Sequence, residues 1–131
     1  ESEKAYNATL DALQADPDIN AIFCASDGVM ADSVINALDQ LQLLKTTDEE
    51  GHIVIVTVDG TPGAIQYIKD GQIDAACSQP AYAMAEGAVD YLTKALDGEE
   101  EIDACVDNSL DPTVITVDNA DDDSLWGNNV E

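Results

Sequence analysis

The stretch Ile53 to Gln72 constrains the fold of this chain more than any other. It reads I-V-I-V-T-V-D-G-T-P-G-A-I-Q-Y-I-K-D-G-Q. Every residue from Ile53 to Val58 is apolar or β-branched. An unbroken run of that kind suits a parallel strand covered on both faces. The turn Asp59-Gly60-Thr61-Pro62-Gly63 ends it. Thr61 is of the type that caps a helix by accepting a first-turn N–H, and Pro62 fits the first helical position. Ile65 and Ile68 then form a short apolar stripe, and Gly71 closes the helix in the left-handed conformation. The unit is strand, turn, helix, with a carboxylate at the carboxyl end of the strand. In open α/β sheets that end is where ligands bind.

The rest of the chain repeats this alternation. Residues 2–15 read as a helix with Tyr6, Leu10 and Leu13 on one stripe, and Asp16-Pro17-Asp18 breaks it. Ile19 to Ala25 is a strand. Ser26-Asp27-Gly28 follows, and either of the first two can cap the next helix, which runs to about Leu44 with Met30, Val34, Ala37, Leu38 and Leu41 inward. Lys45 to Gly51 is a polar loop. After the central unit, Ile73 to Ser78 is a third strand ending in Gln79-Pro80. Tyr82 to Leu96 is a helix whose stripe of Met84, Ala88, Tyr91, Leu92 and Ala95 has core character, and Gly98 stops it. Glu99 to Asp111 is an acidic connector, Val114 to Val117 a last strand, and residues 120–131 an acidic, frayed tail. The pattern α-β-α-β-α-β-α-β predicts a mostly parallel sheet with helices on both faces.

Charge and cysteine usage narrow the function. With 28 Asp and Glu against 4 Lys and Arg, the formal charge is −24. That sign repels nucleic-acid phosphates and anionic membranes, and it reads as a solvated acidic surface. No apolar run approaches the ~20 residues of a membrane span, and no stretch of these residues reads as a signal peptide. The chain opens on Glu1-Ser2-Glu3-Lys4 without Met, which reads as a processed or excised fragment. Cys24, Cys77 and Cys105 do not make a disulfide framework. With no CxxC and one histidine, His52, zinc binding and thiol–imidazole catalysis are not expected.

Right-handed crossovers set three strand ends side by side. Those ends carry Ser26 and Asp27, Asp59, and Gln79. All four side chains accept hydrogen bonds, and Gln79 also donates. A carboxylate that accepts from two neighbouring hydroxyls, beside an amide that gives and takes, suits a polyhydroxylated ligand such as a sugar. Each residue also has a plain structural role open to it. Ser26 and Asp27 cap a helix, Asp59 orders its turn, Gln79 is a loop residue, and Tyr82 is an ordinary surface or core aromatic rather than a stacking platform.

These segments carry a resemblance. The order D-P-D-I-N-A-I-F-C-A-S-D, then I-V-I-V-T-V-D-G-T-P-G-A-I-Q-Y-I-K-D-G-Q-I-D-A-A-C-S-Q, a helix, and V-I-T-V-D-N resembles the C-terminal half of periplasmic sugar-binding proteins of the ribose and galactose type. Their fold is shared by the effector domains of lac-repressor-like regulators. The resemblance covers the chain to about Asn119, so residues 1–119 are expected to form the C-terminal portion of such a domain, a partial three-layer α/β/α fold. It implies two lobes closing on a sugar, with Asp59 and Gln79 binding its hydroxyls. Ser26 falls where many members have Asn, and Asp27 follows at the same helix start. It further implies no enzymatic activity, no cofactor, an ABC permease as partner of the full-length protein, and an extracytoplasmic location. In the family the helix after Gln79 packs on the other lobe. Helix 82–96 is therefore expected to lack its partner here and to drive self-association.

Other classes fit less well. V-D-G-T echoes the D-x-D-G-T loop of haloacid-dehalogenase-like phosphatases, but Thr57 stands where the nucleophilic Asp is required. A phospho-receiver domain begins with a strand bearing paired acids, and this chain begins with a helix. The run Asn119 to Ser124 lacks the Gly that a calcium loop needs at its sixth place. A regulator's effector domain stays open as the alternative to transport.

Overall fold

The computed structural model describes residues 1–99, 101 and 109–130. Cys105 and most of the acidic connector lie outside the described residues. Among the described residues nine elements follow one another: α1 (Ser2–Ala15), β1 (Ala21–Cys24), α2 (Asp27–Gln40), β2 (Val54–Asp59), α3 (Pro62–Lys69), β3 (Ala75–Ser78), α4 (Ala81–Leu96), β4 (Thr113–Ile115) and a 3₁₀ turn (Trp126–Asn128). The strands form one sheet in the order β1-β2-β3-β4. β1, β2 and β3 are parallel, with Cys24 opposite Thr57 and Asp59 opposite Ser78. β4 runs antiparallel to β3. This is the mostly parallel open sheet that the alternation predicts, and the three parallel strand tips do lie side by side.

The core sits under one face of that sheet. Cys24, Ile55, Ala76 and Ile115 are buried there with Val34, Ile35 and Leu38 of α2 and Ile65 and Ile68 of α3. Leu13 of α1 joins them from beside α2. The local signals that start and stop α3 act as expected. Thr61 Oγ1 accepts from the Ala64 N–H, Pro62 occupies the first turn, and Gly71 has φ 71°.

The opposite face differs from the two-sided burial expected of the central run. Along Ile53 and β2, Ile53, Ile55 and Thr57 are buried whereas Val54 and Val56 are exposed. Phe23 and Val114 share that open face, at 67% and 61% exposure. The described residues thus supply the sheet and one helical layer of a partial three-layer α/β/α fold. The reason is topological: α2 and α3 both pack on the same side, as right-handed crossovers between strands in simple sequential order require.

Four local expectations are corrected. α2 ends at Gln40, before Leu44, because the Leu43 and Leu44 N–H groups both turn back to the Leu38 carbonyl. β4 is shorter and earlier than Val114 to Val117, because Asn119 caps it: its Oδ1 accepts from the Thr116 N–H at 2.8 Å and its Nδ2 donates to the Val114 carbonyl at 3.0 Å. The stripe on α4 is not core, since Met84 and Leu92 are about half exposed and Ala95 is the buried residue of that helix. Residues 120–130 of the tail are packed rather than frayed. Ala120 and Leu125 belong to the core, and Asn128 and Asn129 side chains donate to the carbonyls of Ala120, Asp122 and Leu125. Burial of these two apolar residues and this amide network fix a segment whose acidic composition hides them.

Candidate functional site

A polar side chain stands at or within two residues of the end of each of β1, β2 and β3, and the register sets these groups next to one another. Ser26 occupies the N-cap position of α2 but makes no cap bond with its side chain. Its hydroxyl instead donates to Asp59 Oδ2 at 2.7 Å. The Gln79 amide donates to Asp59 Oδ1 at 2.9 Å. The structure therefore brings Ser26, Asp59 and Gln79 into one hydrogen-bonded chain with the carboxylate at its centre. Each carboxylate oxygen keeps a second lone pair for an incoming donor.

Asp27, expected among the ligand contacts, takes a different place. It is 4% exposed and lies beneath this chain. Its Oδ2 accepts from Thr57 Oγ1 at 3.2 Å and from the Gly60 N–H at 2.8 Å. Its Oδ1 accepts from the Thr61 N–H at 3.2 Å and the Thr61 hydroxyl at 2.6 Å. Four donors from the end of β2 and the start of α3 thus converge on one buried carboxylate. Burial, and then the charge of Asp27, push the neighbouring Cys24 thiol above its usual pKa, so this cysteine stays a protonated, inert core residue.

The backbone at Asp59 is strained. Its φ of 113° lies where side-chain-bearing residues are rare, a conformation that costs about 1–3 kcal/mol and persists only when its surroundings enforce it. Three features enforce it. Gly60 (φ 75°) packs so closely that a Cβ there would stand 2.7 Å from Ser78 Oγ. The Gln79 N–H donates to the Asp59 carbonyl at 3.2 Å. Trp126 Nε1 donates to the same carbonyl at 3.0 Å.

Trp126 is a pocket-lining residue that the sequence reading did not single out. It reaches Asp59 because the 3₁₀ turn docks on the loop before α3. A Cβ on Gly127 would stand only 2.4 Å from the Gly60 carbonyl oxygen, so glycine alone permits the approach. Leu-Trp-Gly after a run of acids was the available signal. Together Asp59, Thr61, Gln79, Ala81, Met84 and Trp126 line an open pocket of about 340 Å³, within the usual range for small-molecule sites of about 300–1,000 Å³. Tyr82 borders a second, adjacent hollow and donates its hydroxyl to the Asn129 carbonyl.

The chain is similar to known proteins in sequence and in fold. Residues 1–100 match the family model for the periplasmic binding protein domain. The chain is 30% identical over 97 residues to the ribose import binding protein of Salmonella typhimurium, covering 74% of this chain and 30% of that protein. It is 32% identical over 85 residues to the D-allose-binding periplasmic protein of Escherichia coli, covering 64% of this chain and 25% of that protein. Among solved structures, an ABC transporter periplasmic solute binding protein from Actinobacillus succinogenes with bound D-allose superposes with TM-score 0.78 at 28% identity, over 92% of this chain and 40% of the other. A solute binding protein from Agrobacterium vitis with bound D-fucose gives 0.76 at 28% identity, over 99% and 41%. The chain thus spans under a third of the length of these curated relatives. Family model, sequence identity and superposed fold agree: the chain belongs to the periplasmic binding protein domain family.

Proposed function

We propose that this chain is part of the solute-binding component of an ABC-type carbohydrate importer, a binding protein rather than an enzyme, working outside the cytoplasmic membrane. The observation that carries the reading is the chain of Ser26, Asp59 and Gln79 across three adjacent parallel strand tips. A sugar presents neighbouring hydroxyls around a ring with apolar C–H faces. Asp59 Oδ1 and Oδ2 accept from two adjacent hydroxyls, the Gln79 amide donates to and accepts from a third, and the Ser26 hydroxyl steadies the carboxylate and offers a further acceptor. Asp27 holds the floor beneath them without touching ligand. The relatives' names and bound molecules (ribose, D-allose, D-fucose) support the same ligand class.

In this reading the sugar closes between two lobes, and the closed form docks on a membrane permease. The exposed apolar residues of α4, with Val89, Leu92 and Leu96 at 65%, 54% and 73% exposure, face the other lobe in the complete protein. When the chain is isolated, a second copy covers them.

The test is calorimetry on the full-length protein with a panel of pentoses and hexoses. At about 1.5–3 kcal/mol for each hydrogen bond to a charged group, losing two such bonds in Asp59→Ala is expected to weaken binding by about 10²–10⁴-fold. Wild-type protein that binds none of the panel, or an Asp59→Ala variant that binds as tightly, overturns the proposal.

A further inference from the structure

Trp126 takes part in this site in two independent ways. Its Nε1–H holds the carbonyl of Asp59, the residue whose backbone is strained. Its ring, with Ala81 and Met84, forms the apolar side of the pocket whose polar side is Asp59, Thr61 and Gln79. An amphiphilic pocket of this kind has the same division as a sugar ring, whose hydroxyls project at the edge and whose C–H bonds form a face. We propose that Trp126 is both the positioning residue for Asp59 and the specificity wall of the site, on which the apolar face of a cyclic sugar lies. The inference rests on the sugar reading above and adds a residue from the C-terminal segment to it.

The two roles separate by substitution. The indole donates one hydrogen bond, to a main-chain carbonyl 67 residues earlier in the sequence. Trp126→Phe keeps an aromatic face and removes that donor. Trp126→Leu removes both. Gly127→Ala keeps Trp126 but introduces a Cβ that meets the Gly60 carbonyl and Ile65 Cδ1, at 2.4 and 2.8 Å, and so lifts the segment away from Asp59. A residue that served folding alone would lower stability in all three without changing which ligands are preferred.

The experiment measures affinity for a cyclic hexose and for a linear six-carbon polyol, which has the hydroxyls but no ring face, in the full-length protein. It also follows tryptophan emission against the Trp126→Phe variant. A net hydrogen bond is worth about a fivefold to tenfold change. Trp126→Phe and Gly127→Ala are expected to lose about that factor for both ligands. Trp126→Leu is expected to lose about a further threefold to tenfold for the hexose alone, the range that loss of an aromatic ring contact gives. Wild-type emission is expected to shift on adding hexose, and the shift to vanish in Trp126→Phe. If wild type binds hexose while Trp126→Leu binds it within twofold as tightly, the inference falls and the sugar reading stands. If wild type binds no sugar at all, the sugar reading itself fails. Should Trp126→Leu lose its cooperative unfolding transition, Trp126→Phe and the wild-type emission decide the matter: no change in either overturns the inference.

Discussion

Removing the Asp27 carboxylate tests the architecture beneath the site. Asp27→Ala leaves Thr57 Oγ1 and the Gly60 N–H without their acceptor, and both residues are buried. A buried donor left unsatisfied costs about 1–3 kcal/mol, so two of them give about 4 kcal/mol. The two Thr61 donors add little, because Thr61 is only half-buried and water reaches it. Asp27→Asn retains one oxygen for the four donors but turns an NH₂ group toward the others. Its expected cost is smaller, about 2–3 kcal/mol. At about 1.4 kcal/mol per decade, the alanine variant should populate the unfolded state about a thousandfold more. Urea denaturation followed by circular dichroism reads both values, with the slope unchanged if only native stability is affected. A loss under about 1 kcal/mol for Asp27→Ala, or a greater loss for Asp27→Asn than for Asp27→Ala, would refute the claim that this carboxylate organises the end of β2 and the start of α3.

Two further outcomes follow from the described surface. Burial, and next the hydrogen bond from its hydroxyl to Asp32 Oδ1 at 2.9 Å, raise the Tyr67 pKa above its ordinary 10.0. A pKa raised in the folded state means stability fully present below the unfolded value and lost as pH rises through the folded one. The stability difference between wild type and Tyr67→Phe should therefore shrink above about pH 10, and a constant difference through the alkaline range counts against the contact. The isolated chain is expected to self-associate through the exposed face of α4, and Leu92→Lys should shift it toward monomer in sedimentation velocity. A clean wild-type monomer at high concentration removes that expectation.

What was legible beforehand is local in origin. The β-branched run from Ile53, the Thr61-Pro62 start and the Gly71 stop of α3 declare themselves within a few residues of chain. Their alternation with helices fixes parallel neighbours, and hence the meeting of Ser26, Asp59 and Gln79. The tertiary structure alone decided the rest. Periodicity marks a residue as apolar, not as covered, so it did not show that Val54, Val56 and Leu92 face outward while Ile55 is buried. Composition placed Asp27 beside Ser26 as an equal candidate, and only packing turned one carboxylate inward to four donors while the serine turned out to Asp59. The bond from Trp126 to the Asp59 carbonyl spans 67 residues. A contact at that separation leaves no trace in local propensity, because it exists only once the sheet has set the place where the C-terminal turn must dock.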